Sequence, residues 1–386
     1  MNKKKLHELF DNYIKRFDYI NDDEHQEYYK WQICKEFPRM MKEVLEADDA
    51  TFSDKLYGVK RLTQNFIDSY TQPIGGLVVF SRELGVTPIR EMLKALYADD
   101  GGNLDIRMEI IRDFLERWNE LLEQYENMHG KKSFMYKATA HTVSALLFLN
   151  DPDNHYMYKA NQANWFADCV EYYDDWGVGN NINLAAYHKM CDELVNEIWE
   201  YKTLLDTDAS RFDGRLKLLG GELHPDKAKH ILAFDIIYCS GVYNLYDGIP
   251  FVKRNSKEKN LYLENQKKAR ELKEKCDEAC AENKKLEEAI DCFTQLISAG
   301  DEIKHRKYGV GIVQEVSRDY LTAEFDGEKV KVGLALVLAN SIVTMDKKGF
   351  SEAIAEYKDV LGGYTKIPRR LESLAEQYAK YEEYLL

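Results

Sequence analysis

The chain has 386 residues, 45% hydrophobic and 31% charged, with a formal net charge of −14. That length exceeds one ordinary core and predicts two or three folded parts, while the apolar fraction excludes a disordered chain. No stretch approaches the roughly 20 apolar residues of a membrane span, and Met1-Asn2-Lys3-Lys4-Lys5 leads into an amphipathic segment, unlike a signal peptide.

Residues 5–48 read as two amphipathic helices broken near Asn21-Asp22-Asp23. Ser53 is expected to cap a third, with Leu56, Val59, Leu62, Phe66 and Tyr70 on its buried face. Gln72-Pro73-Ile74-Gly75-Gly76 punctuates the chain. Thr87-Pro88 starts a helix toward Leu96. Residues 104–127 form a long amphipathic helix and 138–149 a shorter, more buried one. An extended His155–Lys159 precedes helices at about 161–173, 183–203 and 225–239, completing a helical N-terminal domain over 1–250.

Around Asp247-Gly248-Ile249-Pro250 the composition changes, and Lys253–Lys275 holds nine basic residues against four glutamates. Lys253, Arg254, Lys257, Lys267, Lys268 and Arg270 are candidates for tracking phosphates by counterion release. A solvated linker is the alternative. A heptad seam follows in Leu272, Cys276, Ala279, Asn283, Leu286, Ile290, Phe293 and Ile297, with Asn283 at an a-type position. Over 253–299 the sequence therefore describes a basic helix and coiled coil. A homodimer and an intramolecular hairpin with the tail both satisfy the seam.

Beyond Gly300 the period becomes strand-like at 302–305, 311–317, 320–325 and 329–333, with Asp326-Gly327 as a hairpin turn. Four short strands over 300–345 describe a small barrel of the SH3 or Tudor kind. A helical tail, 346–386, is broken at Gly362-Gly363. The expected fold class is mainly α and multi-domain, with one small β-barrel near the C-terminus.

Signatures of catalysis are missing. Gly75-Gly76 and Gly220-Gly221 lack the lysine and Ser/Thr of a phosphate-binding loop, and Gly309-Val310-Gly311 leads into a strand. Rossmann, zincin and zinc-deaminase patterns are absent as well. His141 reads as a core histidine, His224-Pro225-Asp226 as a helix start and Asp174-Asp175 as a loop. Seven cysteines (Cys34, Cys169, Cys191, Cys239, Cys276, Cys280 and Cys292) form an odd, scattered set, as expected of reduced thiols in a cytoplasm. No second Cys or His pair completes a zinc site with Cys276 and Cys280, so neither metal nor cofactor is expected. Tyr156, Tyr158, Trp165, Phe166, Tyr172, Tyr173 and Trp176 either fill a helical core or stack on bases. Lys159 beside Tyr158 suits a phosphate contact.

The pattern Asp301-Glu302-Ile303-Lys304-His305, Lys307-Tyr308-Gly309-Val310-Gly311-Ile312-Val313 and Ala323-Glu324-Phe325-Asp326-Gly327 resembles the C-terminal Tudor-like module of UvrD/PcrA-type helicases. More distantly it is similar to the RNA-polymerase-interacting domain of CarD-type proteins. The resemblance implies docking to a protein or nucleic acid. It has His305 and Tyr308 bracing the first turn, Gly309 and Gly311 permitting a tight bend, and Tyr308 standing where Phe is usual. Gln72-Pro73-Ile74-Gly75-Gly76-Leu77, the helix Ile89–Leu96, Tyr156-Met157-Tyr158-Lys159 and Phe234-Asp235-Ile236-Ile237-Tyr238-Cys239 resemble the region preceding the AAA+ motor of McrB-type restriction GTPases. That family's leading region recognises the target, with GTP hydrolysis downstream. No motor follows here, which leaves recognition.

The expectation is a non-enzymatic, cytoplasmic, DNA-associated adaptor in prokaryotic defence or repair, with a protein partner at the barrel and no membrane contact. A protein scaffold that never touches nucleic acid is the competing reading, favoured by the acidic total. A divergent enzyme would require histidines or carboxylates from distant segments to converge in a pocket.

Overall fold

The computed structural model describes residues 1–63, 66–67, 71–177, 181–214 and 221–385; the expected core position Tyr70 and Gly220 lie outside them. The chain is mainly helical, at 64%, with one five-stranded antiparallel sheet near the C-terminus. It divides into two compact units, Met1–Asn255 and Ser256–Leu386. The basic helix, sheet and tail expected as separate segments after residue 253 thus pack as one unit from Ser256 onward.

In the first unit the helices are α1 (Lys3–Ile20), α2 (Tyr29–Leu45), α3 (Asp49–Thr63), α4 (Pro73–Glu83), α5 (Val86–Leu96), α6 (Leu104–His129), α7 (Ala140–Asn150), α8 (Ala160–Cys169), α9 (Leu184–Glu200), α10 (Lys202–Ala209) and α11 (His230–Val242). Their ends follow capping chemistry. Asn103 accepts the Asp105 N–H at 2.9 Å to start α6, and Gly130, at φ 65°, ends it in the left-handed region. Asp226 closes the start of α11 by accepting the Ile231 and Leu232 N–H groups at 3.0 and 2.9 Å. The helix read from His224-Pro225-Asp226 thus begins later, at His230, after a turn from which Asp226 reaches its first N–H groups.

Two expectations are corrected. Asp48, not Ser53, caps α3, accepting the Thr51 N–H at 2.9 Å; Ser53 lies inside the helix and bonds the Ser81 hydroxyl at 2.7 Å. Gln72–Gly76 is a helix start instead of a break, with Pro73 in the first turn of α4. Gly76 is there for packing, since a Cβ would lie 2.8 Å from that of Tyr136.

The core centres on α7 and α11, which bury residues on every side, as inner helices do. Amphipathic helices such as α1, α2 and α9 turn one apolar face inward around them.

In the second unit α12 (Ser256–Leu296) spans 41 residues, about 60 Å of helix. Leu272, Ala279, Leu286 and Phe293 are buried along it and Ile297 just past its end, while Cys276, Asn283 and Ile290 are half-buried, so the seam positions face one side. The sheet comprises β1 (Glu302–His305), β2 (Gly309–Val316), β3 (Tyr320–Phe325) and β4 (Glu328–Gly333), then, after α13 (Leu334–Ala339), β5 (Val343–Thr344). Its order is β4-β3-β2-β1-β5, and it curls into a half-barrel. The tail forms α14 (Phe350–Glu356), α15 (Lys358–Gly362) and α16 (Lys366–Tyr378).

The seam's partner is this tail. Arg370 meets Glu282 at 3.1 Å and Lys268 donates to the Tyr381 hydroxyl at 2.8 Å, so α16 runs antiparallel to α12. The hairpin arrangement covers the seam, and the homodimeric one loses its free apolar stripe. Asn283 donates its amide to Glu287 on its own helix at 2.9 Å.

At the sheet's first turn His305 Nδ1 accepts the Lys307 and Tyr308 N–H groups at 3.1 and 3.3 Å, and its ring packs on Tyr308 and Phe325. Gly309, at φ 78°, makes the bend. Gly311 has another reason: a Cβ would stand 2.4 Å from the Phe325 ring. We expect Gly311→Ala to cost about 1–3 kcal/mol by overpacking, lowering the urea midpoint in far-ultraviolet circular dichroism. All five tryptophans lie in the first unit, so their fluorescence reports that unit instead.

Candidate functional site

Three cations and three carboxylates are brought together inside the first unit. Lys30 on α2, fully buried, donates to Asp235 on α11 and lies 2.7 Å from Glu27. The other Asp235 oxygen accepts the Tyr13 hydroxyl at 2.5 Å, and that hydroxyl accepts Arg211 at 3.0 Å. Arg211 continues to Asn21 at 2.7 Å and Asp208 at 3.3 Å, and Asp208 to Lys229 at 2.8 Å. Burial opposes the Lys30 ammonium, but the carboxylates of Asp235 and Glu27 outweigh it and hold its pKa above the ordinary lysine range.

Glu27, Asp235 and Cys239 are the one set close enough to hold a metal among the described residues. They do not suit one. The Lys30 ammonium already lies among them, and burial pushes the Cys239 thiol up, away from the thiolate a metal needs. The cluster is a structural anchor.

A cleft of about 550 Å³ opens elsewhere in this unit, between the α5–α6 loop, α7, the segment after it and α9. Asp99, Asp100, Asp151 and Asp192 line it with His155, His188, Asn150 and Asn154. Its one cation, Arg107, is buried and spent: it pairs with Asp100 and donates to the Leu96 and Ala98 carbonyls at 2.7 and 3.0 Å. A smaller apolar cavity shares Leu147, His155 and His188 with it. Between the two, Tyr156 donates to Asp192 at 2.7 Å, and its ring lies 3.9 Å from that of His230. Burial, joined by Arg107 at His155 and by His155 at His188, pushes both imidazoles down to about 4.

Histidines and carboxylates from separate segments therefore do converge in a pocket. No spacing marks them: the lining runs from Tyr97 to Asp192, and each residue alone looks solvated. The one signal is the polar run Asp151-Pro152-Asp153-Asn154-His155 directly after the buried α7.

The residues singled out for nucleic acid divide between the two units. Tyr158 is 3% exposed and stacks edge-on with Tyr187, a core role that removes it from base stacking. Of the aromatic cluster only Trp165 is exposed. Lys159 is half-buried, with its ammonium 4.6 Å from the Tyr238 ring centre. Burial and then Lys30 push its pKa down to about 8, against the opposing pull of Glu27. His141, half-buried nearby, is likewise held down to about 4 by burial and Lys159, in keeping with a core histidine. Arg254 is engaged by Tyr173 and lies 3.5 Å from Glu171. Lys253, Lys257, Lys267, Lys268 and Arg270 are exposed, Lys268 lying over the Tyr381 ring.

No family model, curated protein or solved structure matches the chain, so the family resemblances rest on the residues quoted for them. Among the described residues no helix is long and apolar enough to cross a membrane.

Two outcomes are expected. Lys30→Met leaves Asp235 and Glu27 buried without their cation, costing about 3–5 kcal/mol and lowering the melting temperature by roughly 10 °C. Because the folded chain holds His155 and His188 near 4 against an ordinary 6.5, the stability they contribute is complete above 6.5 and lost as pH falls toward 4. His188→Gln should flatten the fall in melting temperature across that window, read by thermal melts at stepped pH.

Proposed function

We propose that the chain is a non-enzymatic recognition adaptor: the cleft of the first unit binds a small ligand or a partner's side chain, and the second unit is a docking arm. The observation that carries this is the cleft's charge. Four aspartates face a single cation that is already paired, and the histidines beside them are neutral hydrogen-bonding groups. Such a lining favours donor-rich ligands, cationic or neutral, and repels phosphate. General acid–base work calls for a pKa near the operating pH, and imidazoles near 4 are poorly matched to it.

The curled sheet supports the docking role, read as an SH3- or Tudor-like module. Its outer face exposes Val310 at 55% and Ile312 at 41%, with Tyr308 beside them. The long helix lends less support to DNA association. Lys257, Glu264, Lys268, Glu271 and Lys275 recur at spacings of seven, four, three and four, giving a stripe of alternating sign. That is the pattern of a solvated helix, and it favours the scaffold reading for this unit.

Calorimetry of the full chain with arginine, a primary amine, a nucleoside and inorganic phosphate tests the cleft. The guanidinium or amine should bind, phosphate should not, and Asp192→Asn should weaken binding about ten-fold. Binding of phosphate in preference to the amine would sink the proposal.

A further inference from the structure

The connection between α6 and α7 is unlike the rest of the surface. In a chain of 67 acidic residues, residues 127–150 contain none, and within them Lys131, Lys132 and Lys137 flank Phe134 and Met135. Phe134 is 75% exposed and Met135 47%, the ring being the most exposed large apolar side chain among the described residues. Burying such a ring is the ordinary outcome, so its exposure asks for a partner.

The loop is also pinned. The Ser133 N–H donates to Glu126 at 2.7 Å, the Gln72 N–H to the Met135 carbonyl at 2.6 Å, and the Trp118 indole to the Tyr136 carbonyl at 2.8 Å. These anchors on both sides of Phe134 hold the ring outward. Lys137 places its ammonium 5.2 Å from the ring centre. Lys132 pairs with Glu126 at 2.7 Å, whereas Lys131 and Lys137 flank the ring outside any close ion pair among the described residues, Glu126 being near enough to Lys137 to feel its charge.

We propose that this loop binds single-stranded nucleic acid, with a base stacked on Phe134 and adjacent phosphates met by Lys131 and Lys137. An aromatic face with flanking cations is the repeating element of such sites: stacking tolerates any base, and the ammonium groups follow the backbone. The charge complementarity is local, set against a repulsive total of −14, so affinity depends steeply on salt. A lipid surface is a poorer occupant, because stable membrane docking takes a broad apolar face or a second anchoring signal, and this loop offers Phe134 and Met135. The proposal does not depend on what the cleft binds.

The test is fluorescence anisotropy of the full chain with a labelled thymidine oligonucleotide across a potassium chloride series at neutral pH. Binding should fall with a log–log salt slope of about −1 to −2 for two cations. Phe134→Ala should weaken it roughly ten-fold, and Lys131→Gln with Lys137→Gln should flatten the slope. Unchanged melting curves check that these surface variants fold. Lys267→Gln with Arg270→Gln should leave affinity unchanged. No binding at the lowest salt, affinity indifferent to Phe134→Ala, or capture by phosphatidylserine vesicles in place of the oligonucleotide would each overturn the proposal.

Discussion

The first unit is organised around a buried charge that cannot be moved alone. Lys30 and Asp235 meet where water is excluded, and each is tolerated because its partners are held there, Glu27 also at the ammonium and Tyr13 and Arg211 also at the carboxylate. The chain through Tyr13, Arg211, Asp208 and Lys229 ties α1, α2, α10 and α11 to one arrangement, since a small shift of any of them strands an ion. With α11 fixed, His230 in its first turn is fixed too. Its ring sets Tyr156, and the Tyr156 hydroxyl sets Asp192 on the cleft wall. The cleft thus inherits its geometry from an ion pair that takes no part in it.

The second unit solves a different problem. A long helix with one apolar stripe needs a cover, and a half-barrel needs a plug. Leu286 and Phe293 on α12, with Ile297 just past its end, join Ile303, Val313, Phe325 and Val337 in one core, while farther along the same helix Arg370 and Tyr381 bring the tail onto the stripe. One helix serves both ends because its seam keeps a single face throughout.

What the sequence makes legible is periodic. The long helix α6, the seam of α12 and strands β1–β4 are visible because hydrophobic spacing and turn residues agree. Where the two conflict the reading slips: α4 opens on Pro and two Gly residues, and β5 has only two residues. The ion network is hidden for a different reason. Lys30, Asp208, Arg211 and Asp235 belong to types that are almost never fully buried, so nothing in the sequence distinguishes them from surface charges. Gly311 reads as a bend residue beside Gly309, whereas the Phe325 ring it makes room for comes from another strand. The longest basic run likewise draws attention to 253–275, although its glutamates interleave with its lysines.

The cleft and the Phe134 loop stand at opposite ends of α6. The helix begins at the cleft, where Leu104 and Arg107 sit among aspartates, and ends at Gly130, where the lysine-flanked Phe134 loop starts. Its 26 residues separate the two by about 40 Å, well beyond a Debye length at physiological ionic strength. An anionic chain held at the loop would therefore feel little of the cleft's repulsion, and a cation in the cleft little of the lysines. The net charge of −14 describes neither surface, and arguments about partners have to be made at each end of that helix separately.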